Sequence, residues 1–246
     1  MTYYRADLAR VHHEGFANHA ENCAPGILAL LKPVRQRRGL VVEIGCGSGL
    51  LTRRLIDAGH RVLATDSSPA MLALARQNVP DAVDVRPLTL PDDPIPEADA
   101  VVGTGHALSY LPDADAVRRG LRRAAGALRP GGVLAVDICD VAWGHARRDA
   151  APFGRVGDGW AILVRASAPT PDRYVREITT FVREADGRYR RDDERHDNVL
   201  VDSALIPGWL NDPALPGVGQ VDVVVGTSFG GEVLPVGLLT VIARRA

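Results

Sequence analysis

Short apolar runs alternate with longer amphipathic ones through the first 140 residues. Leu40-Val41-Val42-Glu43-Ile44 is apolar except for one acid and ends in glycines, which predicts a buried strand. Leu50–Ala58 carries apolar residues at helical spacing and stops at Gly59. Arg61–Thr65 predicts a second strand. Asp66-Ser67-Ser68-Pro69 predicts a helix start, a capping side chain before a first-turn proline, and the helix continues over Ala70–Asn78. The alternation then repeats. Strands are expected over Ala82–Val85 and Ala100–Gly103, and a helix over Asp113–Leu128 that Arg129-Pro130-Gly131-Gly132 breaks. Val133–Ile138 is a strand whose one polar residue is Asp137.

Residues 1–38 read as helical, with Leu8, Val11, Phe16, Ile27, Leu28, Leu30 and Leu31 loosely in phase and Pro25-Gly26 and Pro33 as punctuation. After residue 140 the period falls to two. Trp160–Ala168, Tyr174–Glu184 and Tyr189–Leu200 predict antiparallel strands that turn at Asp172 and at Asp186-Gly187. Ser203–Asp212 predicts a short helix, and Val218–Gly226 and Val236–Arg244 two last strands. The expected fold class is α/β: a Rossmann-like, doubly wound, mostly parallel seven-stranded sheet with an antiparallel β insertion after the fifth strand. The expected organisation is an N-terminal helical cap over 1–38, a sheet domain over 39–140 and 201–246, and a cover insertion over 141–200.

Composition narrows the partners. In 246 residues, 29 basic and 30 acidic side chains give a net charge of −1, so the molecule is not built to coat nucleic acid or an anionic membrane. Lys32 is the single lysine. Cys23, Cys46 and Cys139 match neither zinc-site nor disulfide spacing, which points to reduced thiols. The start has no signal-peptide core, and no apolar run reaches the roughly 18 residues of a membrane span. A cytoplasmic protein with a small-molecule partner, no nucleic acid and no membrane is expected.

The strongest chemistry lies in Glu43-Ile44-Gly45-Cys46-Gly47-Ser48-Gly49, between a strand and a helix. Glycines let the backbone approach a ligand, and the helix start offers free N–H groups. Asp66 stands 21 residues after Gly45, at the end of the next strand, where a carboxylate can accept both ribose hydroxyls. A dinucleotide and S-adenosylmethionine (SAM) both suit that geometry. The dinucleotide fingerprint needs a third glycine where Leu50 stands. Glu43 would also repel a pyrophosphate, whereas it suits the ammonium group and cationic sulfur of SAM.

These residues resemble the class I SAM-dependent methyltransferases, particularly small-molecule members with an antiparallel cover. VVEIGCGSG (41–49) resembles the first motif, VLATDSSPAMLALAR (62–76) the second-strand motif, and LRPGGVLAVDI (128–138) the turn and strand after the fourth helix. The resemblance implies cofactor contacts from Glu43, Gly45, Cys46, Gly47 and Gly49, from Asp66 on the ribose, and from Ser67 and Met71 beside the adenosine. Gly105, after the fourth strand, joins them. The family's Gly-Asp after the third strand is replaced by Arg86-Pro87-Leu88-Thr89-Leu90, which leaves the backbone of Thr89 and Leu90 for the adenine. Asn/Asp-Pro-Pro-Tyr is absent after the fourth strand, where Gly103-Thr104-Gly105-His106 stands, and this argues against nucleic-acid or protein-glutamine acceptors. The implied activity is methyl transfer to an oxygen or nitrogen of a small molecule, as in natural-product tailoring. Two alternatives stay open: a SAM-binding protein of this fold without methyl transfer, and an NAD-dependent oxidoreductase.

A hydroxyl acceptor gains from a base. His106, beside the expected sulfonium position, is the first candidate, because a pKa near neutrality would let it take a proton. His12 is the second, since it stands where relatives place a tyrosine on a helix folded over the cofactor. Phe16, Tyr110, Arg176 and His196 are candidate substrate contacts. Arg176, Ile178 and Thr180 share one strand face, and Glu194, His196 and Asn198 another; they reach substrate if those faces look inward. No metal site is expected, because adjacent residues of His12-His13-Glu14 diverge on a helix.

Overall fold

The structure, a computed structural model, describes residues 3–213 and 217–246. The first two residues of the 1–38 segment and three residues of the 201–246 segment lie outside the described residues. Three helices open the chain: α1 (Ala6–Gly15), α2 (Asn18–Leu30) and α3 (Lys32–Gln36). The alternating part runs β1 (Leu40–Ile44), α4 (Leu50–Asp57), β2 (Arg61–Asp66), α5 (Pro69–Asn78), β3 (Asp84–Pro87), β4 (Ala98–Gly103), α6 (Ala114–Gly126) and β5 (Leu128–Cys139). Then come α7 (Val141–Arg147), β6 (Phe153–Gly157), β7 (Trp160–Thr170), β8 (Arg173–Arg183), β9 (Tyr189–Val199), α8 (Ile206–Leu210), β10 (Val221–Gly226) and β11 (Leu238–Arg245).

Seven strands form one sheet in the order β10-β11-β5-β4-β1-β2-β3, parallel except at β10 and β11; β6 to β9 form a separate antiparallel sheet. Both faces of the large sheet are covered, and strand parity shows it. Val41, Val62, Ala100, Val102 and Ala135 pack with Ile27 and Leu31 of the N-terminal helices and Leu51 and Leu55 of α4. Their neighbours Val42, Val101, Leu134 and Val136 pack the other way, on Val117 and Leu121 of α6 and Ile206 and Leu210 of the α8 region. A third cluster joins Leu8 and Val11 of α1 to Trp160, Ile162, Val164, Ile178 and Val182 of the smaller sheet.

Five elements differ from the sequence reading. Helix α2 continues through Pro25 rather than breaking there. A mid-helix proline costs about 3 kcal/mol. Fully burying Ile27 and Leu31, at about 1.5–3 kcal/mol each, offsets it. Gly26 is a close approach instead of a stop: a Cβ there would sit 2.8 Å from the backbone of Phe229. Strand β3 lies two residues further on, because it pairs from Leu63↔Asp84 to Asp66↔Pro87 at a sheet edge, where proline is tolerated. Strand β5 begins at Leu128, and Arg129-Pro130-Gly131-Gly132 forms an irregularity inside it, between the Ala98↔Leu128 and Ala100↔Val133 pairs. Helix α7 and strand β6 had no distinct sequence signal.

Candidate active site

Chain order reverses direction between β1 and β4, which are paired neighbours. Ligands bind at such switch points, beyond the carboxyl ends of the strands. The loop after β1 is the glycine loop. Gly45 is left-handed (φ 66°), and a Cβ on it would come within 2.5 Å of Ala107 in the loop after β4. Only glycine lets these two loops meet so closely. Asp66, ending β2, accepts hydrogen bonds from Gly47 N–H (2.9 Å) and Ser68 N–H (2.8 Å). Burial raises its pKa against those amide bonds. His13 Nδ1 and Ser48 Oγ, 2.9 Å apart, tie α1 to the same loop.

A cavity of about 630 Å³ lies over these loops and adjoins a second of about 600 Å³. Tyr4, His12, Gly45, Gly47, Thr104 and Gly105 line both, so they form one site. Glu43, Cys46, Phe16, His106 and Arg176 line the first; Asp66, Ser67, Met71, Thr89, Leu90 and Tyr110 line the second. Gly49 and His196 line neither. Gly49 (φ 87°) turns the chain into α4 against Val79. His196 sits behind Tyr110, its Nδ1 3.2 Å from the phenol oxygen. Thr89 lines the second cavity, but its N–H is bonded to Asp93 (2.7 Å) and so is not free for an adenine.

The loop after β4 is held in an uncommon shape. Gly105 and His106 are both left-handed (φ 81° and 50°). A non-glycine residue there costs about 1–2 kcal/mol. Asp137 on β5 offsets this by accepting Gly105 N–H (3.0 Å) and His106 N–H (2.6 Å), and it also pairs with His19 (2.6 Å). Burial would lower the His19 pKa, but the hydrogen bond to Asp137 wins and lifts it to about 10. His19, Cys23 and Asp137 place three donor atoms within 4.8 Å. The His19–Asp137 separation of 2.6 Å is that of a hydrogen bond; two ligands of a tetrahedral zinc stand about 3.3 Å apart.

His106 corrects the expectation of a near-neutral base. Burial, reinforced by the Arg176 charge, pushes its pKa down to about 3. His12 falls to about 4 for the same first reason. Both rings are neutral at pH 7, and each has a buried Nδ1 without a hydrogen-bond partner. His106 stacks on Tyr110 and His12 on Phe16. Glu43 is also altered. Burial drives its carboxyl up to about 8, against the hydrogen bond from Thr52 Oγ1 (2.6 Å) and with help from the Asp66 charge.

The roof of the site comes from the chain start and the smaller sheet. Both strand faces singled out in the sequence look inward: Arg176 and Ile178 line the cavity, and Glu194, His196 and Asn198 are buried. Glu194 accepts the N–H groups of Tyr4 and Arg5 (2.8 Å each) and lies 3.0 Å from His196. Asp7 takes both ends of the Arg190 fork (2.9 and 2.6 Å). Ser68 donates to Tyr4 C=O (2.9 Å), so residue 4 bridges the roof and the Asp66 loop. Sequence reasoning missed Tyr3, Tyr4, His19 and Trp143 as parts of the site. Paired aromatics before an amphipathic helix were the one available signal for the first two.

This geometry, an open sheet with a glycine loop after the first strand and an acid ending the second, is that of the class I SAM-dependent methyltransferases. Residues 42–134 match the family profile described as a methyltransferase domain. A putative methyltransferase from Geobacillus sp. (strain WCH70) is 28% identical over 184 residues, covering 72% of this chain and 74% of the relative. Among solved structures, a SAM-dependent methyltransferase from Clostridium acetobutylicum ATCC 824 superposes with a TM-score of 0.76 (17% identity, 97% of each chain). The sugar N-methyltransferase KedS8 from Streptoalloteichus sp. ATCC 53650 gives 0.78 (19% identity, 100% of this chain and 96% of that one). Residues 42–134 carry a methyltransferase domain, and the chain has the class I fold of SAM-dependent methyltransferases, whose cofactor is SAM. The residues fit that group: a glycine cradle that Ala107 would close against any side chain, a ribose-height carboxylate at Asp66, and a buried acid at Glu43.

Proposed function

We propose that this protein methylates an oxygen or nitrogen atom of a small molecule, in the manner of enzymes that tailor natural products. The observation that carries this reading is the roofed cavity of about 630 Å³ continuous with the glycine loop. A cavity of about 300–1,000 Å³ suits a small molecule. In this reading the N-terminal helix α1 and residues 141–200 are the cover, and 39–140 with 201–246 hold the cofactor.

When bound, SAM supplies a methyl carbon whose bond to sulfur breaks as the acceptor's lone pair takes it. Gly45, Cys46 and Gly47 cradle the amino-acid end, and Glu43 faces its ammonium. Asp66 holds the ribose, while Ser67, Met71 and Leu90 flank the adenosine. Thr89 contributes surface rather than its amide. Gly105 keeps the β4 loop clear of the cofactor. His106 and His12 stay neutral and accept a hydrogen bond from the acceptor's N–H or O–H, which orients its lone pair. Much of the rate then comes from alignment in a water-poor site. Phe16 and Tyr110 bound the acceptor, and His196 positions Tyr110.

The test is product detection. Purified protein, SAM and a panel of amines, phenols, hydroxy acids and amino sugars are incubated and read by mass spectrometry. A product heavier by one methylene, absent with Asp66→Ala, supports the reading. SAM binding with no product across the panel supports instead a SAM-binding role without methyl transfer.

A further inference from the structure

Three arginines line the main cavity: Arg147 on α7, Arg155 on β6 and Arg176 on β8. Each is bonded only to neutral groups. Arg147 donates to the carbonyls of Trp143 (3.4 Å) and Val236 (2.9 Å) and lies 3.3 Å over the Trp143 ring. Arg155 donates to Gly15 C=O and faces the Phe16 ring. Arg176 donates to the Tyr110 hydroxyl and to Asn198 Oδ1 (3.4 Å), and its Nε is buried with no partner. Among the described residues, no carboxylate lies within ion-pair distance of any of the three.

The acids close to the site are already engaged. Asp137 faces His19 and two amides, and Glu194 faces two amides with His196 alongside. Glu43 is held largely protonated at pH 7 by burial. Tyr110 stays a neutral phenol, because burial lifts its pKa well above the ordinary value. The cavity wall on the cover side is therefore cationic without internal compensation. Arg155 is exposed and Arg147 and Arg176 are half-buried, so the cost of a guanidinium withdrawn from water without an anion falls chiefly on Arg176, whose Nε is buried.

We infer that the acceptor carries an oxyanion, a carboxylate or a phosphorus oxyanion, that docks against Arg176, with Arg147 and Arg155 making the same cavity cationic. The planar Arg176 guanidinium matches either anion, and its Nε, buried without a partner, leaves the charge unmet from inside the protein. Tyr110 and Asn198 both hold Nη2 of Arg176, which restrains the guanidinium before binding. The inference rests on the small-molecule methyl-transfer reading and names the acceptor's chemical class.

The test uses the full-length protein saturated with S-adenosylhomocysteine, the demethylated cofactor. Benzoate, phenylphosphonate and benzamide are titrated by calorimetry into wild type, Arg176→Gln and Arg176→Lys, and each variant's melting temperature is checked. At least one anion is expected to bind wild type about tenfold more tightly than benzamide. The tighter of the two anions identifies the carboxylate or the phosphorus class. Arg176→Gln should erase the preference, Arg176→Lys should keep only part of it, and S-adenosylhomocysteine affinity should change less than about threefold in either. Absence of any preference for an anion in wild type, including failure of both anions to bind, overturns the inference. So does a loss of S-adenosylhomocysteine affinity in Arg176→Gln as large as the loss for the anion, since Arg176 would then hold the cofactor's own carboxylate. Failure of wild type to bind S-adenosylhomocysteine at all would instead remove the methyltransferase reading, and it is seen in the first titration.

Discussion

At the scale of single residues, burial has changed the chemistry that residue type alone suggests. His106 is an obvious base in the sequence, yet its ring is held neutral by burial and by the Arg176 charge, with a pKa of about 3. His106→Ala is expected to lower turnover about tenfold, the value of one lost orienting hydrogen bond, while SAM affinity stays nearly unchanged. The wild-type kcat profile should show no inflection from His106 between pH 6 and 7; one that disappears in the variant would restore the base role. Glu43 behaves in the opposite sense. Its pKa of about 8 means a proton must leave before it can face an ammonium group. SAM should therefore bind more weakly as pH falls from 8 to 6, and Glu43→Gln should flatten that dependence while weakening binding at pH 8. The same substitution should raise the melting temperature at pH 8, because it removes a carboxylate that the folded protein disfavours. Thermal scans with and without SAM read both effects together.

Elements show which signals a sequence carries. The parallel core was legible because each strand is short, apolar and bounded by turn chemistry, and because the glycine loop and Asp66 sit at strand ends that any doubly wound sheet brings together. The inward faces of β8 and β9 were legible only as alternation; which side looked inward depended on α1 packing against the smaller sheet. Asp137 showed no such sign. Its role exists because β5 is paired beside β4, which sets its carboxylate under the amides of Gly105 and His106. The fixing of the chain start depends likewise on distant partners: Glu194 and Arg190 on β9 meet Tyr4, Arg5 and Asp7 across more than 180 residues of sequence. Glu194→Ala leaves two backbone N–H groups without their acceptor, at about 1–3 kcal/mol each when buried. Hydrogen exchange over residues 4–15 should accelerate about tenfold or more, with exchange in β1 and β4 unchanged. Uniform acceleration across the chain would mean that Glu194 supports the fold as a whole and does not specifically anchor the roof.

Over the whole molecule, the buried titrating groups predict where stability peaks. His12 and His106 have folded pKa values of about 4 and 3, below the ordinary histidine value of about 6.5. Their contribution is complete above pH 6.5 and is lost as pH falls toward 4. Glu43 and His19 are raised, to about 8 and about 10. The Glu43 effect lowers stability as pH rises from about 4.5 to 8, and the His19 contribution is lost from about 6.5 to 10. Each group adds a slope of about 1.4 kcal/mol per pH unit inside its window. Below pH 6.5 the two histidines outweigh Glu43; above it both remaining slopes are negative. The melting temperature is therefore expected to peak near pH 6.5, and His106→Asn should flatten the acid side. The same arrangement of glycine loop, Asp66 and roof defines the cofactor site, and one titration tests it most directly. Calorimetry of S-adenosylhomocysteine into wild type and Asp66→Ala should give one site per chain in the first and at least about tenfold weaker binding in the second. No binding by the wild type, or equal affinity in the two proteins, would contradict the account.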